Sequence, residues 1–542
     1  MTGRQPVRVV TLPDPLHSGP SRSSPWQSLA RARTAPILAG LATLFALWLR
    51  LFRLENPGYW GDELMTREYA HEPWSRLFGD LALVDVHPPF YYVLQHAWLA
   101  FGESRFAMRS LSAALGAACI PLVFLLGRRL VDDRAGVVSA FMVAIAPLHL
   151  IASREIRQYS LLAFFALLAI LGFSHLLPVR DEAEIGSSEL DRRAAWLAYV
   201  VGAVGAFYTH NTALFLPALA SGAVLVFWSA GRVNSPFVAR WIGANVLVGA
   251  LAAPWLWLTF HHLSHTLARF WIPDPSVDWV KSQLLGAYPY PRLLKPVFVL
   301  LALWAVWSLR RERLLLTFLV VFWLGEPLAM WFASYLRPLL YCRPLIWSTL
   351  LFPIVVAAAL VRLPGPAFAS MAAAFVLLQA YGLSSSFPAE RETMGFEALA
   401  PRLSGLQPGR DVLVVAPIQF DPELRVDVKG YRENAVGIAY GDLPEKLFQP
   451  MWVPQVQRSE LYARVCSYRR VWFYTETASR FPPPPGDDFA RVMLQLESHS
   501  RSEKRWASQD RLLVLFDMQP PHAGECDSGA NAGAMQGPQT NG

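Results

Sequence analysis

Long apolar stretches separated by short polar ones make up most of the chain up to residue 383. Eleven stand out, at about 35–53, 106–127, 135–151, 159–177, 194–209, 212–230, 241–260, 296–309, 314–332, 345–361 and 367–383. A bilayer core of about 30 Å takes roughly 20 apolar residues in a helix. Inside lipid, helices and closed barrels alone satisfy their own backbone groups. The pattern therefore predicts a multi-pass α-helical membrane protein with about eleven transmembrane helices over 35–383. Several stretches are short, which predicts tilted or partly re-entrant segments. After residue 383 the pattern changes. Asp411–Ala416, Arg470–Tyr474 and Leu512–Phe516 are short β-branched and aromatic runs bounded by Pro, Gly and Asp. They read as buried strands with helical segments between them, which predicts a small C-terminal α/β domain over 384–518. The ends, 1–34 and 519–542, are rich in small and polar residues and read as disordered tails. No apolar core precedes about Pro36, so the start does not read as a cleavable signal.

The polar loops then set the orientation. With the N-terminus placed inside, the inner loops carry Arg128, Arg129 and Arg134; Arg180, Arg192 and Arg193; Arg232 and Arg240; Arg310, Arg311 and Arg313; and Arg362. Positive charge in short loops marks the cytoplasmic side. Eleven spans put the C-terminal domain outside. The outer face then holds Asp62-Glu63, His87, Arg154–Arg157, His210-Asn211, the segment 261–295 and Ser334–Arg343. The first outer loop, about 54–105, has helical spacing over 64–82 and an aromatic run from Phe90 to Phe101, which predicts short interfacial helices.

Composition agrees with this and narrows the function. Hydrophobic residues are 54% and charged residues 16%, against about 25% charged in soluble proteins. The net charge of +7 comes from loop arginines, so it marks topology and does not imply a nucleic-acid partner. Cys119, Cys342, Cys466 and Cys526 show no metal spacing. Cys466 and Cys526 could pair if their domain is extracytoplasmic. The sequence has no phosphate-binding glycine loop, dinucleotide fingerprint, nucleophile elbow or zinc-protease helix. That disfavours ATP-driven pumps and soluble-cofactor redox chemistry.

Candidate chemistry sits in the outer loops. Asp62 and Glu63 follow Tyr59-Trp60-Gly61. A carboxylate there could take a proton from an acceptor hydroxyl, with Trp60 stacking on a sugar; Asp62 equally suits a helix N-cap. Pro88-Pro89 would hold His87 and the nearby Asp85 at a defined depth, where His87 could bind phosphate or assist proton transfer, or simply be solvated. Arg154 and Arg157, spaced i, i+3 around Glu155 and followed by Tyr159, could grip a phosphate together, or snorkel at the membrane edge. Arg343, in Tyr341-Cys342-Arg343-Pro344, could bind a further anion. His210-Asn211 reads better as a structural pair. His261, His262 and His265 have weak metal spacing and no acidic partner close in sequence.

Trp60-Gly61-Asp62-Glu63, His87-Pro88-Pro89-Phe90-Tyr91-Tyr92, Ser110-Leu111-Ser112-Ala113, Gly127-Arg128-Arg129-Leu130 and Pro147 through Arg154–Tyr159 form an ordered set. This set resembles the GT-C membrane glycosyltransferases, in particular bacterial relatives of dolichyl-phosphate-mannose protein mannosyltransferases and of lipid A aminoarabinose transferases. The likeness is dense over about 40–180, sparse to Arg343, and absent from the C-terminal domain. It implies a polyprenyl-phosphate-linked sugar donor and a bacterial inner (plasma) membrane location. Asp62, with Glu63 adjacent, matches the first-loop acid that acts as catalytic base in such families; His87 stands at the position before the paired prolines that often contacts the donor phosphate, where some relatives have lysine. Trp60, Asp85, Arg154, Glu155, Arg157 and Tyr159 are expected among substrate contacts, and Arg343 falls where relatives tend to carry an arginine facing the lipid phosphate. No cofactor is implied, and a divalent cation is compatible but not demanded. The acceptor, whether protein, lipid or polysaccharide, is not readable. The resulting expectation is an inverting hexosyl- or pentosyltransferase. Its competitors are a transporter or flippase of lipid-linked glycans, which the lack of internal repeats disfavours, and a structural assembly subunit.

Overall fold

The structure, a computed structural model, describes residues 25–56, 61–78, 87–179, 189–261, 274–289, 295–383, 410–416, 451–452, 468–475, 496–508 and 511–520, with single positions 272 and 494. The helices, in chain order, are α1 (Pro25–Leu51), α2 (Gly61–His71), α3 (Trp74–Phe78), α4 (Phe90–Trp98), α5 (Arg105–Leu130), α6 (Asp133–Ala144), α7 (Pro147–Ala152), α8 (Tyr159–Leu176), α9 (Glu189–Thr209), α10 (Phe215–Ser229), α11 (Ser235–His261), α12 (Val277–Gly286), α13 (Lys295–Leu309), α14 (Arg313–Ser334), α15 (Ile346–Thr349), α16 (Leu351–Leu360) and α17 (Gly365–Gly382).

Helix covers each of the eleven apolar stretches. Among the described residues six segments are long and apolar enough to cross a membrane: Thr34–Leu51, Arg105–Leu130, Tyr159–Leu176, Asn211–Ser229, Ser235–Thr259 and Arg313–Ser334. Lys295–Leu309, Ile346–Leu360 and Gly365–Tyr381 are shorter apolar helices. The remaining two stretches differ for local reasons. The one expected at 135–151 breaks into α6 and α7, because Pro147 starts a new helix. The one at 194–209 is the apolar end of α9, whose first turns carry Glu189, Asp191, Arg192 and Arg193. At the N-terminus α1 begins at Pro25, ahead of the expected start at 35.

Small residues let the helices approach closely, as membrane packing requires. A Cβ on Gly202 of α9 would lie 2.4 Å from the Ala169 backbone nitrogen of α8, and one on Gly127 of α5 would lie 2.9 Å from Gly136 Cα of α6. Side-chain caps set several helix starts: Ser104 accepts from Ala107 N at 3.1 Å and Asp132 from Ala135 N at 2.8 Å. The loop before α5 forms short helices, as its periodicity predicts. Tyr91 of α4 is buried and shares a hydrogen bond of 2.7 Å with Ser112 of α5, and Gln95 donates to Met108 O at 3.0 Å. Residues 79–86 lie outside the described residues.

The basic loops also meet. Arg128 pairs with Asp133 at 2.9 Å, Arg134 donates to Val361 O at 3.4 Å, and Arg362 pairs with Glu312. These groups sit beyond the C-terminal end of α15–α16, while Arg343 precedes its N-terminal end. Fifteen residues of helix, 346–360, separate the two ends by about 22 Å at 1.5 Å per residue.

The three runs read as strands are strands. The sheet comprises β1 (Asp411–Ala416), β2 (Met451–Trp452), β3 (Arg470–Thr475), β4 (Ser500–Ser508) and β5 (Arg511–Met518), in the order β2-β1-β3-β5-β4. β1 runs parallel to β2 and β3; β5 runs antiparallel to β3 and β4. The register aligns Val471 with Phe516 and Phe473 with Val514, all four fully buried; residues two apart on a strand share one face of the sheet. The segments between β1 and β3 that were expected to be helical lie mostly outside the described residues, as do Cys466, Cys526 and residues 521–542.

Candidate functional site

Four separate chain segments meet where the outer loops were expected to lie: the start of α2, the start of α5, the turn between α7 and α8, and the turn between α14 and α15. Each contributes charge.

Asp62 and Glu63 begin α2, where carboxylates favour the N-terminal end of a helix dipole. They point in different directions. Glu63 is completely buried and makes a two-pronged pair with Arg109 of α5, at 2.8 Å and 2.6 Å. It also accepts from Ile156 N at 2.9 Å. Arg109 in turn donates to Leu54 O at 3.0 Å. The expectation that Glu63 shares the catalytic role of Asp62 is corrected on this ground: both its oxygens face inward onto donors and neither can reach a substrate proton. It locks α2, α5 and the 153–158 turn together. Asp62 has the opposite environment. Its side chain is 43% exposed, and one oxygen lies 3.6 Å from Arg157 Nη2.

The two arginines around Glu155 also part company. Arg154 donates to the carbonyls of Leu49 and Arg50 at 3.0 Å, Phe52 at 2.7 Å and Arg53 at 3.2 Å. These are the orphan carbonyls at the end of α1, so Arg154 is its cap. Burial lowers its pKa to about 10, with a further push from Arg109. The expectation of a phosphate contact is corrected here: the guanidinium is already spent on backbone oxygens. Arg157, nearly inaccessible, turns to Asp62 and donates to Thr66 Oγ1 at 3.2 Å and Asp62 O at 3.4 Å. The i, i+3 argument fails because residues 153–158 form successive turns, with Arg154 N bonded to Ile151 O and Arg157 N to Glu155 O. Helix resumes only at Tyr159.

Glu155 meets Arg343 across 188 residues of chain at 2.9 Å. Both side chains are mostly covered. Burial raises Glu155 to about 7, against the opposing pull of Arg343. For Arg343, burial alone would lower the pKa, but Glu155, Tyr341, Tyr159 and Asp62 together raise it. The Arg343 guanidinium also stands 5.8 Å from the centre of the Tyr159 ring. His87, half-buried, lies 5.2 Å from the ring of His210, and His210 lies 6.0 Å from that of Tyr159. His210 Nδ1 accepts from Thr212 N at 3.2 Å, and Asn211 Oδ1 accepts from Trp255 Nε1 at 2.8 Å, so both carry structural bonds as read. Trp60, Asp85, His262 and His265 lie outside the described residues. His261 stacks on Trp257 at 5.1 Å. Among the described residues no group of three or more His, Cys, Asp or Glu gathers at metal-binding distance.

Sequence reasoning missed Arg109, a charge in the first turns of an otherwise apolar span. Such a charge needs a partner or it would be costly, and that was the available signal. It also missed Arg50, which donates to Ala46 O at 2.9 Å, Ala144 O at 3.1 Å and meets His149 Nδ1 at 2.8 Å. This second buried group lies beneath the Arg154 cap. It braces α1 against α6 and α7.

The arrangement offers one accessible carboxylate beside a cation, a second cation held by a carboxylate, and two histidines beyond Tyr159. Such a set can accept a proton and neutralise an anion side by side. Residues 58–207 match the family model for dolichyl-phosphate-mannose-protein mannosyltransferase. Among solved structures the chain is similar to ArnT from Cupriavidus metallidurans in the apo state, at 14% identity and TM-score 0.54, covering 90% of this chain and 98% of that one. It is equally similar to the same protein bound to undecaprenyl phosphate, at 15% identity and TM-score 0.54, covering 90% and 99%. The oligosaccharyltransferase AglB from Archaeoglobus fulgidus gives 12% identity and TM-score 0.49 over 82% of this chain and 69% of that one. No curated protein matches the chain. The chain resembles the GT-C superfamily of membrane glycosyltransferases and shares the ArnT fold.

Proposed function

We propose that the protein is an inverting glycosyltransferase that moves a sugar from a polyprenyl-phosphate-linked donor to an acceptor hydroxyl on the extracytoplasmic face of a bacterial inner membrane. One observation carries this reading: Asp62 stands at the Arg157 guanidinium, partly open to solvent, close to Arg343, which itself meets Tyr159. The family match over 58–207 and the fold shared with a protein crystallised with undecaprenyl phosphate support it.

Asp62 accepts the acceptor hydroxyl's proton as that oxygen attacks the anomeric carbon. The carbon–oxygen bond to phosphate breaks on the opposite face, its electron pair stays with the phosphate, and the anomeric configuration inverts. Arg157 orients the Asp62 carboxylate toward the acceptor. Arg343 and His87 take the charge gathering on the leaving phosphate, Arg343 from a mostly covered position that strengthens its contact. No nucleotide enters, so the reaction suits a compartment without nucleotide sugars. The basic loops at the far end support an inside position for that end, and hence an outside position for the site.

The test is product analysis. Purified protein in lipid is incubated with a panel of polyprenyl-phosphate hexoses and pentoses and candidate acceptors, and products are identified by mass spectrometry with the anomeric configuration assigned. Transfer with inversion is expected. Transfer with retention, or movement of intact lipid-linked sugar across the bilayer without bond cleavage, would reject the reading.

A further inference from the structure

The ion pair between Glu155 and Arg343 occupies the very group that a donor phosphate needs. Arg343 presents Nη1 to one Glu155 oxygen at 2.9 Å and Nη2 to the other at 3.5 Å. A phosphodiester offers the same fork of two oxygens to the same edge of a guanidinium. The two anions compete, so Glu155 must let go of Arg343 when phosphate binds.

A released Glu155 has poor alternatives. Glu63 is next to it but already closed on Arg109. Arg157 is turned to Asp62. Tyr91 and Tyr159, also facing it, are neutral phenols, and Cys342, beside Arg343, is a thiol whose ionisation burial opposes. Tyr341 reaches the pair only through Arg343. The histidines His87 and His210 approach by way of Tyr159. Bringing a phosphate anion in would leave two negative groups sharing one mostly covered arginine.

We propose that Glu155 holds the phosphate's place on Arg343 in the resting site and takes up one proton when a polyprenyl phosphodiester displaces it, so that donor binding is proton-linked. This rests on the transferase reading above and adds a role for Glu155. Burial already puts the resting carboxyl at about 7, so the proton is available near neutrality. The sign follows. Binding removes the Arg343 partner and adds an anion, both of which raise the carboxyl's pKa further. Below about 7 Glu155 is already neutral and the donor meets no competitor. Above it each donor must bring a proton, and affinity falls as pH rises. By reciprocity, deprotonation of Glu155 helps to expel the bound anion.

The experiment is calorimetry on the full chain in nanodiscs. The probe is farnesyl-phosphoryl-glucose, a diester whose single charge does not titrate in the neutral range. Titrations in two buffers of different ionisation enthalpy give the protons taken up. For the unaltered protein, uptake approaching one proton per diester is expected above pH about 7, with affinity falling about tenfold per pH unit there. Glu155→Gln should fold, bind at least as tightly at high pH, and show neither uptake nor slope. Uptake that survives in Glu155→Gln would assign the proton to a histidine and overturn the inference. Binding by the unaltered protein without uptake would overturn it too and leave the transferase reading intact. Absence of diester binding at any pH, in a protein whose Arg343→Ala variant behaves identically, would overturn both.

Discussion

Replacing Glu63 by Gln tests whether two adjacent carboxylates have separate duties. The substitution keeps one oxygen for Ile156 N–H but removes the charge that Arg109 faces at 2.6 and 2.8 Å. Both side chains are almost entirely inaccessible, at 2% and 1%. Breaking a buried pair by removing one partner costs about 3–5 kcal/mol, because the remaining charge stays desolvated. Removing both, as in Glu63→Leu with Arg109→Leu, avoids that term but leaves Leu54 O and Ile156 N without their side-chain partners, at about 1–3 kcal/mol each. The two costs, about 2–6 against about 3–5 kcal/mol, are of one size, so the double variant should unfold close to the single one. The assay is thermal unfolding in detergent, followed by transfer measured well below each variant's midpoint. Glu63→Gln should unfold several degrees early yet retain turnover within a few-fold. A variant with unchanged stability and abolished turnover would refute the separation and restore Glu63 to the chemistry.

Other consequences are as direct. Arg154→Met should lose about 2–6 kcal/mol of stability as four carbonyls at the end of α1 lose their donor, at about 0.5–1.5 kcal/mol each, with the affinity for polyprenyl phosphate measured by calorimetry unchanged. Gly202→Val should fail to accumulate as folded protein in a fluorescence-detected size-exclusion assay, since a Cβ there would meet backbone at 2.4 Å. Ser104→Ala should cost about 1 kcal/mol in the same thermal assay by removing the α5 cap.

The helices were legible because membrane spans declare themselves by run length, and the strands because Asp411–Ala416 and Arg470–Tyr474 are short runs rich in β-branched and aromatic residues. Asp62 was legible because an acid beside Trp60 at the edge of a span is costly to place there without use. What stayed hidden depended on contacts distant in sequence. Glu63 looks the equal of Asp62 in one dimension; only Arg109, on another helix, separates them. Arg154 and Arg157 look like one clamp at helical spacing, but the backbone between them is a run of turns, which sends one side chain to the end of α1 and the other to α2. The Glu155–Arg343 pair joins two loops that no local pattern connects. Local periodicity carries the elements, then, while tertiary pairing assigns the charges their work.

The central claim is that Asp62 removes the acceptor's proton while cations from other loops hold the donor phosphate. It is tested most directly by single-turnover release of free polyprenyl phosphate from bound donor in the presence of acceptor, comparing the unaltered protein with Asp62→Asn. The account predicts that Asp62→Asn binds donor with normal affinity and releases polyprenyl phosphate about 10²–10⁴-fold more slowly. Release at the unaltered rate would contradict it.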